Sequence, residues 1–169
     1  MAAELLVLIV LPALLALAAG WDLASFTIPN FLQLALIACF AVFVVASGMS
    51  AGAIGGHLLA GCVGLAIGFT LFALGYIGGG DAKLFACIVL WFGFVNLLDY
   101  ALVASLMGGV LTAAILAARR LPLPPVLDGQ SWIRRLHDAK AGIPYGVALA
   151  AGAFAILPQT EIFKIASTL

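Results

Sequence analysis

Six apolar runs separated by polar breaks make up most of the chain. They are Ala2–Gly20, Phe31–Ser47, Ile54–Tyr76, Ala82–Leu98, Ala101–Ala118 and Ile143–Leu157. A helix needs about 20 apolar residues to cross a bilayer, with about 17 to 25 usual. The pattern therefore predicts six membrane spans, the fourth and sixth of them short. Pro29 and Asn30 lead into the second run, and the sixth stops before Pro158. One long polar stretch, Arg119 to Gly142, divides the fifth run from the sixth. Its Pro122, Pro124, Pro125 and Gly129 disfavour regular structure. The expectation is an all-α membrane bundle of about six transmembrane helices, one domain over residues 1–169, with residues 119–142 as a loop.

Composition sharpens this. The chain is 66% hydrophobic and 8% charged, against roughly 25% charged in soluble domains. So small a fold could not hide that much apolar surface from water, so lipid must be its solvent. A formal net charge of zero gives nucleic-acid binding no electrostatic support. Glu4, and no Lys or Arg, precedes the first run. A secretory signal needs a basic start, so the first helix is expected to be retained. Cys39, Cys62 and Cys87 stand singly in apolar runs and read as small buried hydrophobes. No C-x-x-C pair or H-E-x-x-H occurs, which disfavours a zinc site.

Basic residues set the expected orientation, because cytoplasmic loops are enriched in Lys and Arg. Arg119, Arg120, Arg134, Arg135 and Lys140 share the long loop. With that loop in the cytoplasm, Lys83 is also inside, Lys164 is outside, and both termini are outside. The third run carries Gly55, Gly56, Gly61, Gly64, Gly68 and Gly75. Gly64 and Gly68 form a G-x-x-x-G step, read as close helix packing. His57 is expected at the external interface rather than as a ligand, and His137 in solvent.

Two of the seven acidic residues stand apart. Glu4 and Glu161 lie near the termini, Asp128 and Asp138 in the polar loop, and Asp99 in a short external turn. Asp22 follows the first run, and Asp81 follows Gly78-Gly79-Gly80 after the third. The topology puts both on the cytoplasmic side at similar depth, where two helix ends can meet. Facing carboxyls cannot both ionise easily and can share one proton. The ionised partner can then take a proton from water while the other polarises a carbonyl, which is aspartic-protease chemistry. Glycines beside such a carboxyl free the backbone and leave room for a substrate strand. Plainer roles stand equally at this point: Asp81 as the N-cap of the fourth helix, Asp22 as an interfacial residue.

Gly78-Gly79-Gly80-Asp81-Ala82-Lys83 resembles the G-x-G-D-x-K signature of type IV prepilin peptidases. Asp22 followed by Ile28-Pro29-Asn30 resembles their first aspartate motif. Gly142-Ile143-Pro144-Tyr145-Gly146 is similar to their lead-in to the last helix. The resemblance implies a bundle like that of the GxGD aspartic proteases, with Asp22 and Asp81 as the catalytic pair. Gly78, Gly80, Lys83, Pro29, Asn30, Pro144 and Tyr145 would support the site or the substrate. No metal and no cofactor are expected. The chain begins with a helix and lacks paired cysteines, so it resembles the short, peptidase-only form of tight-adherence (Flp) pilus systems. That form implies leader removal from Flp-type prepilins and pseudopilins, after a glycine and just before a hydrophobic helix, at the cytoplasmic face of the bacterial inner membrane. No N-methyltransferase activity is expected. The stretch between Asp22 and Ile28 departs from the family in having no basic residue.

Lys83 could anchor the segment to phosphate headgroups or bias the nearby carboxyl, or simply snorkel. Pro29 and Asn30 read as shaping the turn into the second helix. Pro144 fits an early helical position, and Tyr145 either borders the site or joins the interfacial aromatic belt. Three rival readings stand beside the peptidase. A presenilin-type protease shares G-x-G-D but is longer and has a Y-D pair where this chain has Trp21-Asp22. A small transporter or channel would place acids near mid-bilayer. A structural pilus-assembly subunit would be indifferent to Asp→Asn changes in leader cleavage.

Overall fold

The computed structural model describes residues 2–168. All regular structure among them is helical. Helix α1 is Ala2–Ser25, with a π-helical turn at Leu6–Val10. Helices α2, α3, α4 and α5 follow at Asn30–Ser47, Ala51–Ala73, Gly79–Phe92 and Leu97–Ala118. A short α6, Ser131–His137, lies within the polar loop. Helix α7 is Tyr145–Ile156, followed by a 3-10 turn at Leu157–Gln159 and α8 at Glu161–Thr168.

Four helices, α1, α2, α3 and α5, are long and apolar enough to cross a bilayer. The α7 segment and α8 make a fifth candidate, bent by 56°. The protein is a multi-pass membrane bundle. The six expected spans need correction at the fourth. That run is not one helix to Leu98, because α4 stops at Phe92. Gly93 breaks it with φ of 71°, and α5 begins at Leu97. At 14 residues, α4 is about 21 Å long, short of the roughly 30 Å hydrocarbon core. Eleven of its residues, from Asp81 to Phe92, are buried. It is deeply buried, packed along α3 and touching α2 and α7. Asp99 therefore lies in the first turn of α5 and not in a turn between helices.

Small residues set the close contacts. A Cβ on Gly68 would come within 2.8 Å of the Ala82 carbonyl oxygen, and one on Gly64 within 3.0 Å of Val89. The expected packing role of this G-x-x-x-G step is met, with α4 as the partner. Gly55, Gly56 and Gly75 face open space and take no part. On the other side, a Cβ on Gly152 of α7 would lie 2.8 Å from the Ala104 backbone of α5. Lipid gives helices no hydrophobic reason to associate, so such close backbone packing carries the assembly.

Other expectations also meet a different structure. The loop at 119–142 is not wholly irregular, since α6 forms inside it. Beyond the last apolar run α8 follows, burying Ile162 and Ala166 while Glu161 and Lys164 are exposed. His57, expected at the external interface, faces the interior of the bundle. It is buried, with Nδ1 2.8 Å from the Leu90 carbonyl oxygen. His137, expected in solvent, is half-buried.

Candidate active site

The buried positions of α1 are Ala3, Val7, Leu11, Leu15, Ala18 and Asp22. They recur every three or four residues, which is one helix face. Asp22 continues the apolar stripe, so it points into the bundle and is 4% exposed. It does not follow the helix as expected, because α1 continues to Ser25. The helix stops at Phe26, whose left-handed φ of 57° is uncommon for a non-glycine residue. The Phe26 N–H donates to the Asp22 carbonyl at 2.7 Å.

Asp81 sits in the first turn of α4, and the N-cap is Gly78, not Asp81. Its Oδ2 accepts the Gly78 N–H at 3.1 Å. A helix N-terminus favours a carboxylate there. Its Oδ1 is buried and has no hydrogen-bond partner among the described residues.

Gly146 holds the first of the two. Its N–H donates to Asp22 Oδ2 at 2.7 Å. The Asp81 carboxyl lies near enough to feel the charge of Asp22. A Cβ on Gly146 would fall 2.9 Å from Asp22 Oδ2 and 2.7 Å from Ile28 Cδ1. Only glycine brings a backbone donor this close. Helices far apart in sequence thus meet at one pair of carboxyls.

The expected supporting residues fall around this pair in differing ways. Ile28 lies against Gly80, where an added Cβ would be 3.3 Å from Ile28 Cβ. Pro29 is the N-cap of α2, with ψ of 139°. The Lys83 Nζ donates to Asn30 Oδ1 at 2.9 Å, tying the two aspartate motifs together. Gln33 Nε2 donates to the Gly80 carbonyl at 3.2 Å. Pro144 is the N-cap of α7, one position before the helix expected to hold it. Tyr145 is half-buried, its ring and hydroxyl against Gly108 of α5. It packs between helices beside the pair.

Sequence reasoning did not single out the Gly146 donor, Ile28, Gln33, or the loop arginines as site elements. Arg135 Nη1 donates to the Ser25 carbonyl at 2.9 Å, and its guanidinium stands 5.8 Å from the centre of the Phe26 ring. Arg119 Nε donates to Leu136 O at 2.7 Å, and its Nη2 to Ala141 O and Gly142 O at 3.1 and 3.0 Å. One arginine holds the end of α1 just beyond Asp22. The other holds the chain just ahead of Gly146. The G-I-P-Y-G segment was the available signal for Gly146; the arginines carried only a topological one.

The fold and the site define a multi-pass membrane bundle that buries two neighbouring carboxyls at one end. The model of the type IV leader peptidase family matches residues 9–113. The chain belongs to that family and is a peptidase. The match takes in Asp22 and Asp81 and ends before the polar loop. No curated protein matches the chain. No solved structure matches it either.

Proposed function

We propose that the chain is an aspartic endopeptidase in which Asp22 and Asp81 activate water, and that it removes the leader of Flp-type prepilins and pseudopilins at the cytoplasmic face. The observation that carries this is a pair of buried carboxyls near enough to interact, with Asp22 held by the Gly146 N–H and Asp81 Oδ1 unpartnered. One proton serves the pair. The ionised carboxyl takes a proton from water as its oxygen attacks the scissile carbonyl carbon. The protonated carboxyl donates to the carbonyl oxygen, and a tetrahedral intermediate forms. A proton then passes to the departing amine as the C–N bond breaks. The Gly146 N–H fixes the Asp22 carboxyl in place. The loop arginines on the carboxyl side support a cytoplasmic site. Asp22 and Asp81 are the buried acids among the described residues, and both lie at one end of the bundle. That counts against a cation path through mid-membrane.

Co-expression with a Flp-type prepilin tests this. Leader removal is expected in wild type and lost in Asp22→Asn and Asp81→Asn, with both variants inserted normally. Near-wild-type processing in either variant would defeat the reading. Activity is also expected to fall on the alkaline side, where the shared proton is lost, and on the acid side, where both carboxyls are protonated. A flat pH–rate profile for purified enzyme would contradict a shared proton.

A further inference from the structure

A groove of about 580 Å³ opens between α2, α3 and α4. On each helix its lining positions fall at i, i+3, i+4 and i+7; on α4 they are Lys83, Ala86, Cys87 and Leu90. That is one helix face over two turns, about 10 Å of rise. Gly61 and Cys62 of α3 join Ala86 and Cys87 in keeping the lining small. Small residues let another helix approach closely in lipid.

Gln33 is an independent sign of what enters. It lines the groove and is 4% exposed. Its Nε2 holds the Gly80 carbonyl, while Oε1 is buried with no partner among the described residues. A buried acceptor without a partner is unfavourable, and an arriving donor relieves it. A lipid acyl chain brings no donor. A peptide does.

We propose that this groove docks the first two turns of the substrate's hydrophobic helix, and that Gln33 links its arrival to Gly80 and so to Asp81. This rests on the peptidase reading above. Lys83 lies about 200° around the helix from Asp81, so groove and carboxyls occupy opposite faces of α4. The peptide crosses between them at the start of α4, over Gly78, which is exposed and has no side chain. A helix is about 10–12 Å across, which takes about three extended residues at roughly 3.3 Å each. The scissile bond therefore lies about three residues from the docked helix.

Cys62 is exposed and lines the groove, so it serves as a fixed reporter. The full chain carrying Asp81→Asn, in lipid vesicles, is given prepilins with single cysteines along the hydrophobic segment and oxidised mildly. Disulfides are expected at positions three and four apart within the first two turns, and lost with Cys62→Ala. Leu58→Trp, which fills the groove, is expected to raise KM about tenfold or more while kcat changes little. Cross-links that are absent, or spread evenly around the helix, would overturn the proposal. So would failure of bound prepilin to protect Cys62 from maleimide, the result expected if lipid alone fills the groove. Cleavage that depends on both aspartates without this cross-link pattern defeats only the groove. Cleavage that survives Asp22→Asn defeats the peptidase reading.

Discussion

The two ends of α4 are built differently. At its C-terminal end Trp91 is fully buried, with the Phe40 and Phe43 rings 5.4 and 5.6 Å away. Its Nε1 donates to the Leu36 carbonyl at 3.0 Å, and His57 reaches the Leu90 carbonyl one residue earlier. At the N-terminal end there are three glycines, Asp81, and a donor from Gly146. One end is closed by interlocking rings that fit in only one way. The other presents backbone donors and a carboxyl oxygen without a partner. Packing holds the helix at one end so that chemistry can be placed at the other, and the two are separable by mutation.

Gly146→Ala breaks the placement most severely. Its methyl would stand 2.7 Å from Ile28 and 2.9 Å from Asp22, and a misplacement of this kind costs about 100-fold in rate. Leader cleavage is expected to fall by that order while membrane fractionation shows normal insertion. Trp91→Ala should act in the reverse sense. Removing a buried aromatic costs about 3–5 kcal/mol, so the thermal midpoint in detergent should drop, with cleavage retained below it. Equal loss of stability in both variants would erase the distinction between the two ends. Arg119→Lys has the smallest expected effect and sharpens the role of the loop. Lysine keeps the charge that orients the loop but not the planar fork that grips three carbonyls. Losing one charge-assisted hydrogen bond of roughly 1.5 kcal/mol corresponds to about a tenfold loss of cleavage. Reporter fusions in the loop should show an unchanged topology. Cleavage at wild-type rate would mean that Arg119 sets topology alone.

Hydrophobic runs made the bundle legible, because in lipid every backbone group must be satisfied within its own helix. They also misplaced its boundaries. Gly20 and the polar Asp22 look like a helix end, yet α1 runs on to Phe26 because Asp22 lies on its buried face. The Ala82–Leu98 run hid the Gly93 break because both sides of it are equally apolar. The pairing of Asp22 with Asp81 was open to motif reading. The glycine at 146 was visible in the G-I-P-Y-G segment, but which carboxyl its N–H reaches depends on how α7 meets α1. Arg119 and Arg135 were read as charge, and their hydrogen bonds to carbonyls depend on the fold of α6, which the prolines ahead of it obscured.

The most direct test compares kcat/KM for leader cleavage in vesicles among wild type, Asp22→Asn, Asp81→Asn and the double variant. If the two carboxyls act as one unit, each single change is expected to cost about 1,000-fold or more and the double little beyond that, as for residues that work together. Either single variant retaining a substantial share of wild-type activity, or losses that multiply in the double variant, would contradict a shared dyad.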